Sequence, residues 1–318
     1  MKILVTGASG SFGTALIKAV LADGTAEKVI AFARGEHRLA ELRETLGHPP
    51  QLRCLIGDVR DPDRLHDALH RVDTIVHAAA LKKVDGQDPR ELMLTNYQGT
   101  VNVVRAAISR TVPRVLLLSS DKSVGAATAY GVAKAAAEAY MTYANRFGHP
   151  QVRLSATRYG NVIGSQGSVI HTWRRQSARG EPLTITDPNA TRFWLTMDDA
   201  VAFVRRALTV MHGGEILIPE MRSASLGDLC TAMFPGHLTK AMELRAGEKL
   251  HEVLISSHEA YRTVYVPEFP GWAVEPSQAD WPYQPWRGRR LEVGCAVSSA
   301  SVPRIDPSVL RRWASSIA

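Results

Sequence analysis

The sequence predicts an α/β fold: a doubly wound parallel sheet carrying a smaller, irregular α+β substrate-binding domain. Two observations predict it. From Lys2 to about Tyr159, short β-branched runs alternate with longer amphipathic segments, which is the pattern of repeated βαβ units. Beyond Tyr159 the alternation fails, and Gly, Pro and aromatic residues become denser, most of all from Pro267 to Trp286.

Strands are read in order at residues 3–5, 29–33, 52–56, 74–77, 114–118 and 153–158. Helices are read between them at 12–21, 37–46, 62–69, 90–109 and 130–147, where apolar residues recur at helical spacing, as at Leu39, Leu42 and Leu46. The run Val115-Leu116-Leu117-Leu118 is apolar without alternation, as suits a strand covered by helices on both faces. A helix at 198–210 and a strand at 215–218 read as a brief return to the first domain. The expected division is a first domain of 1–160 with 190–220 and a second of 161–189 with 221–318. Neither internal repeats nor low-complexity tracts occur.

With 318 residues and 45% hydrophobic content the chain is long enough for one large core or two smaller ones. The formal charge of +7 attracts nucleic acid, an acidic membrane surface or a small polyanion alike. The arginine runs Arg174-Arg175, Arg205-Arg206, Arg287 to Arg290 and Arg311-Arg312 are short and dispersed. They read as solvated helix faces and loop rims, so a diphosphate ligand is expected and a nucleic-acid partner is not. The cysteines Cys54, Cys230 and Cys295 are odd in number and lack CxxC spacing, which points to a reducing compartment. No apolar stretch of about 18 residues occurs, so the expectation is a soluble, cytoplasmic protein without membrane insertion.

Gly7-Ala8-Ser9-Gly10-Ser11-Phe12-Gly13 joins the first strand to the first helix. Gly7 permits a sharp turn, Gly10 lets backbone amides approach a pyrophosphate, and Gly13 allows close packing of helix on strand. This placement makes the sheet Rossmann-like and nominates Gly7, Ser9, Gly10, Ser11, Phe12 and Gly13 as cofactor-binding residues. An NAD site places Asp or Glu at the tip of the second strand, whereas a 2′-phosphate needs arginine. Here that tip reads Ala33-Arg34-Gly35-Glu36-His37-Arg38. Arg34 and Arg38 therefore favour NADP, and Asp58-Val59 is expected at the adenine edge.

Tyr130 and Lys134 stand one helical turn apart, so both side chains lie on one face. A lysine ammonium beside the phenol would lower the tyrosine pKa toward neutrality, as a base attacking a hydroxyl requires. Ser119-Ser120-Asp121-Lys122 ends the fifth strand, at the crevice where open α/β sheets bind ligands. Asp121 and Lys122 are the acid and base that an elimination needs. His77 reads as a hydrogen-bonded residue at a strand end. His66 and His70 share a helix face without a third ligand, so no metal is expected.

Further blocks are Ala78-Ala79-Ala80-Leu81-Lys82, Thr95-Asn96, Arg158-Tyr159-Gly160-Asn161-Val162, Gly164-Ser165-Gln166-Gly167-Ser168-Val169, Thr191-Arg192-Phe193-Trp194 and Gly247-Glu248-Lys249-Leu250-His251-Glu252. With these motifs, in this order over residues 1 to about 255, the chain resembles the inverting UDP-N-acetylglucosamine 4,6-dehydratases. They are the polysaccharide-biosynthesis branch of the extended short-chain dehydrogenase/reductase family. The resemblance implies that Ala78, Ala79, Ala80, Lys82, Asn96, Tyr130 and Lys134 also touch the cofactor and that Ser120 hydrogen-bonds the reacting hydroxyl. It implies that Tyr130 takes the proton from the C4 hydroxyl while hydride passes to NADP. Lys122 then takes the C5 proton, Asp121 protonates the departing C6 hydroxyl, and hydride returns to C6. The product is a 4-keto-6-deoxy sugar inverted at C5.

The resemblance also places Lys82, Asn161, Val169, Thr184, Arg192, Arg245 and Glu248 around the nucleotide sugar, and it implies a homo-oligomer. The first domain would then bind NADP and the second the nucleotide sugar. Burial beside the cofactor would keep Lys122 neutral. Simpler roles stay open: Arg192 paired with Asp187, Glu248 capping a helix over 249–254, and Asn161 shaping a turn. A UDP-hexose 4-epimerase and a non-catalytic NADP-binding regulator are the alternative functions. The chain departs from the family in Val124-Gly125-Ala126-Ala127-Thr128-Ala129, where proline and asparagine are expected, and in the tryptophan-rich, basic stretch 272–304.

Overall fold

A computed structural model of the chain describes residues 1–82, 88–165 and 167–316. Gln166, quoted above in the 164–169 block, lies outside the described residues. The chain runs β1 (Lys2–Thr6), α1 (Ser11–Ala22), β2 (Lys28–Ala33), α2 (Glu36–Thr45), β3 (Leu52–Ile56), α3 (Pro62–Ala68), β4 (Thr74–His77), α4 (Pro89–Leu92), α5 (Gly99–Ser109), β5 (Arg114–Ser120), α6 (Ala129–Tyr143), β6 (Arg153–Tyr159) and β7 (Asn161–Val162). It continues through α7 (Val169–Ala178), β8 (Leu183–Ile185), β9 (Thr191–Leu195), α8 (Met197–Val210), β10 (Ile216–Pro219), β11 (Arg222–Ser225), α9 (Leu226–Met233), β12 (Thr239–Ala241) and β13 (Val253–Ile255). The last elements are β14 (Thr263–Val266), β15 (Gly271–Val274), β16 (Arg289–Arg290), β17 (Val297–Ser298) and α10 (Pro307–Ser316).

Ten of the described strands form one sheet in the order β16-β14-β15-β10-β6-β5-β4-β1-β2-β3. The pairings from β3 to β10 are parallel. Ile3, Leu4, Val5, Val115, Leu116 and Leu117 are fully buried, which is why these strands are apolar without alternation. Strand order reverses between β1 and β4, so the chain ends of β1, β4 and β5 open onto one crevice. Side chains set the helix starts: Asp61 accepts from Arg64 N ahead of Pro62, and Thr196 and Asp199 form a capping box on α8.

A second, smaller core joins Ile163, Trp173, Leu183, Trp194, Leu229 and Leu310. It is built on the β11-β9-β7 sheet and the β12-β8 pair. Alternation along β9 ties the two cores together: Phe193 and Leu195 enter the large one and Trp194 the small one.

The structure differs from the sequence reading in three places. The helix expected over 90–109 is composite, with a π-helical stretch, Met93–Gln98, between α4 and α5. No helix covers 249–254; β13 instead pairs antiparallel with β17. The backbone there is claimed from elsewhere in the chain, for Leu250 O accepts from Thr191 N and Glu252 O from Ser299 N. Finally, residues 263–274, expected in the second domain, form β14 and β15 and extend the main sheet beyond β10. β16 closes that edge with two exposed arginines, which discourage further strand pairing.

The tryptophan-rich stretch packs on the end of α8. Trp286 stacks on His212 with centroids 4.1 Å apart, and Trp281 Nε1 donates to Gly213 O. Beneath it lies Glu215, fully buried, which accepts from Ser155 Oγ and His212 N. Burial pushes its carboxyl up to about 7, against those hydrogen bonds. A folded-state pKa above the unfolded value stabilises the fold at low pH, and that stability is lost as pH rises through about 7. Glu215→Gln should therefore flatten the fall of melting temperature between pH 5 and 8, a difference on the order of 3 kcal/mol. Parallel melting curves for the two proteins over that range would contradict this account.

Candidate active site

The glycine turn folds as its sequence requires. Gly7 has a φ of +66°, and a Cβ there would stand 2.7 Å from Ala79 N. One on Gly13 would meet Gly7 O at 2.5 Å. Gly7, Ser9, Gly10, Arg34, Arg38 and Asp58 line a cavity of about 440 Å³, with Val59, Ala78, Ala79 and Ala80, a volume within the usual range for ligand sites. Ser11 opens α1, and Phe12 packs against the main core. Asn96, in the π-helical stretch, accepts from Leu81 N and donates to Leu81 O, which fixes the 78–82 loop. Burial lowers the Lys82 pKa. Arg34 Nη1 lies 3.8 Å from Asp58 Oδ2 and is half exposed.

Asp58 lines the cavity, but its carboxylate is engaged by Arg60 Nη2 at 2.7 Å. Burial works to raise the Asp58 pKa, yet the Arg60 hydrogen bonds and the charges of Arg60 and Arg34 leave it lowered.

Ser120 ends β5 and Asp121–Ser123 forms a single 3-10 turn. Asp121 is fully buried. Its Oδ1 accepts from Ser120 Oγ and from Lys122 Nζ, both at 2.8 Å, while Oδ2 has no partner among the described residues. Lys122 Nζ also donates to Asn161 Oδ1 at 2.9 Å. The start of α6, capped by Thr128, presses against this turn: a Cβ on Gly131 would lie 2.4 Å from Lys122 O. The five residues Ser120, Asp121, Lys122, Tyr130 and Asn161 thus converge from β5, α6 and β7.

Two electrostatic expectations are corrected. Burial lowers the Lys122 pKa, but the charges of Asp121 and Glu252 outweigh it and leave it raised, so Lys122 rests as an ammonium rather than a neutral amine. Lys134 does not bring the Tyr130 phenol down. It lies deeper, donating to Leu118 O at 2.7 Å, with its own pKa pulled by burial to about 8. Burial raises Tyr130, and the cation opposing that rise is Lys122.

Arg192 is buried and donates to Thr191 O, Leu250 O and Glu248 Oε1. Its partner is therefore Glu248 rather than Asp187, which caps the turn at Asn189. Glu248 also accepts from Thr186 Oγ1 and Arg245 N, and Arg245 is exposed. Val169 opens α7, and Thr184 is tied to that helix through Gln176 and Trp173. His77 is buried between Thr6 and Thr100, its pKa pulled by burial to about 3. His66 is bonded by Arg110. Among the described residues no cluster could hold a metal ion, and no helix is long and apolar enough to cross a membrane.

Two residues that sequence reading left without a role belong to this site. Gly131 sets the approach of α6 to the Asp121–Ser123 turn. Glu252 stands with Oε1 3.6 Å from Lys122 Nζ and 4.0 Å from Arg192 Nε. For Gly131 the signal was its place within Tyr130–Lys134; for Glu252 it was its place in the 247–252 block, though only tertiary pairing brings it to Lys122.

The chain matches the polysaccharide biosynthesis protein family over residues 3–270. It is 39% identical to the inverting UDP-N-acetylglucosamine 4,6-dehydratase of Campylobacter jejuni subsp. jejuni serotype O:2, covering 86% of this chain and 83% of that one. It is 36% identical to the UDP-glucose 4-epimerase of Rickettsia massiliae, covering 81% and 78%. Among solved structures, Pen from Bacillus thuringiensis superposes with a TM-score of 0.89 at 29% identity, covering 98% and 95%. DesIV, a dTDP-glucose 4,6-dehydratase from Streptomyces venezuelae with NAD and TYD bound, superposes with a TM-score of 0.70 at 25% identity, covering 79% and 87%.

Proposed function

We propose, because the chain belongs to the polysaccharide biosynthesis protein family, that it is an NADP-dependent nucleotide-sugar 4,6-dehydratase that converts UDP-N-acetylglucosamine with inversion at C5. The observation that carries this reading is the Asp121–Lys122 pair, 2.8 Å apart at the tip of β5. A 4-epimerase needs a proton acceptor at the C4 hydroxyl and a dinucleotide, and has no use for a second acid and base.

The residues present fit a dinucleotide, since the clearance that Gly7 and Gly13 leave at the turn is what backbone amides need to reach a pyrophosphate. Arg34 and Arg38 line the same cavity and favour a 2′-phosphate. When bound, the dinucleotide supplies a two-electron acceptor for C4 and returns the electrons at C6.

The protein supplies the proton transfers. Tyr130 rests as a phenol, so it first gives its proton to solvent; as a phenolate it then takes the C4 hydroxyl proton, with Ser120 beside it. Moving one proton from Lys122 to Asp121 turns the resting ammonium–carboxylate pair into an amine and a carboxylic acid without changing net charge. Substrate docking favours that neutral pair because it removes water from both groups. Lys122 then takes the C5 proton, acidified by the 4-ketone, and Asp121 gives its proton to the departing C6 hydroxyl. Tyr130 returns its proton at C5 from the opposite face, which closes the count. Asn161, Arg192, Arg245 and Glu248 are assigned to the nucleotide, with Lys82, Val169 and Thr184; the arginine fork suits phosphate oxygens.

The test is incubation of the enzyme with UDP-N-acetylglucosamine and NADP in deuterated water. A loss of about 18 Da by mass balance, with deuterium at C5, is the expected result. Unchanged mass with altered C4 configuration would replace this reading with epimerisation. Tighter binding of NAD than of NADP, unaffected by Arg34→Ala, would overturn the cofactor assignment alone.

A further inference from the structure

Glu252 is buried, and its Oε2 has no partner among the described residues. An unpaired buried carboxylate oxygen is costly unless cations stand close by. Here they do: Lys122 Nζ at 3.6 Å and Arg192 Nε at 4.0 Å. The main chain at Glu252 is locked by the segment after β17, for its N–H donates to Ser299 Oγ and its carbonyl accepts from Ser299 N. Ser299 is itself fully buried and bonded to Thr191, next to Arg192. The carboxylate is thus held beside Lys122 with help from Ser299, a part of the chain beyond the family motifs.

We infer that Glu252 is a positioning residue for the acid–base pair: its carboxylate holds Lys122 in place and strengthens it as a base toward the C5 proton. The inference rests on the dehydratase reading and deepens it. A base that must take a carbon-bound proton gains from every charge that stabilises its protonated form. Asp121 cannot serve alone, because it must release a proton to the leaving hydroxyl and so changes charge during the reaction. Glu252 gives up no proton in these steps. The groups facing Lys122 are Asp121 on its own turn, Glu252 ahead of β13, Arg192 on β9, Tyr130 on α6 and the neutral Asn161 on β7. Of these, the two carboxylates favour its cationic form by charge, and Asn161 Oδ1 adds a neutral hydrogen bond.

The consequence is legible in a pH profile. The working pair carries one proton, so activity falls at alkaline pH when that proton is lost, and the limb belongs to the pair rather than to one residue. Removing the Glu252 charge should bring that limb down by about one pH unit.

The experiment compares full-length wild type, Glu252→Gln and Glu252→Asp on UDP-N-acetylglucosamine with NADP. For Glu252→Gln we expect kcat to fall about tenfold, KM to stay within about twofold and the alkaline limb to move down; Glu252→Asp should recover part of both. A wild type that releases no water overturns the dehydratase reading itself. An active wild type whose alkaline limb stays in place in Glu252→Gln overturns the role of Glu252 alone, as does a rise in KM with kcat unchanged.

Discussion

Lys122→Ala should abolish water loss from UDP-N-acetylglucosamine, with a fall in turnover of about a thousandfold or more. Three consequences follow from the one substitution. The C5 proton loses its acceptor. Asp121, fully buried, keeps only Ser120 as a side-chain hydrogen-bond partner among the described residues, and it loses the group with which it exchanges a proton. Tyr130 loses the cation that opposes the effect of burial, so the first proton transfer slows as well. Dinucleotide binding should stay within about twofold, because the polar contacts of Lys122 are with Asp121, Asn161 and Glu252, away from the glycine turn. The decisive measurement is deuterium at C5 during long incubation in deuterated water. Exchange at the wild-type rate in Lys122→Ala would remove Lys122 from the role of carbon base even if product formation stopped.

Most of the first domain was legible in the sequence because its strands are buried on both faces. Such strands must be apolar throughout, and their boundaries agree with the reading to within two residues or so, as at Leu52–Ile56 and Thr74–His77. The π-helical stretch was not legible, since one extra residue per turn leaves the apolar pattern of 90–109 nearly unchanged. Leu250 and Leu254, four apart, imitate a helix face; what decided their structure was hydrogen bonding to Thr191 and Ser299, far away in sequence. The same distance hid the pairing of Glu252 with Lys122. Local motifs nominated residues that the fold brings together at the tip of β5, while the carboxylate of Glu252 reaches Lys122 through a pairing no spacing rule encodes. For Lys122 and Tyr130 the sequence reading expected a neutral amine and a lowered phenol, whereas the surroundings leave both pKa values raised.

Gly131→Ala separates stability from catalysis at the point where α6 meets the catalytic turn. In an isolated helix this change would be favourable by about 1 kcal/mol, because alanine has the higher helix propensity. Here the added Cβ would stand 2.4 Å from Lys122 O and 3.2 Å from Ala126 Cβ. The first contact is with backbone, so it cannot be relieved by a side-chain rotation. Either the first turn of α6 moves away, carrying Tyr130 with it, or the Asp121–Ser123 turn moves, carrying the acid and the base. A displacement of about 1 Å between reacting groups costs on the order of a hundredfold in rate. The overpacking penalty of about 1–3 kcal/mol is partly offset by the gain in propensity, so the melting temperature should change little. The expected result is a folded enzyme that binds dinucleotide and turns over about a hundredfold more slowly, with product formation as the readout. Turnover within threefold of wild type would mean that the approach of α6 to Lys122 is slack, and that the convergence of Tyr130 with Asp121 and Lys122 does not limit the reaction.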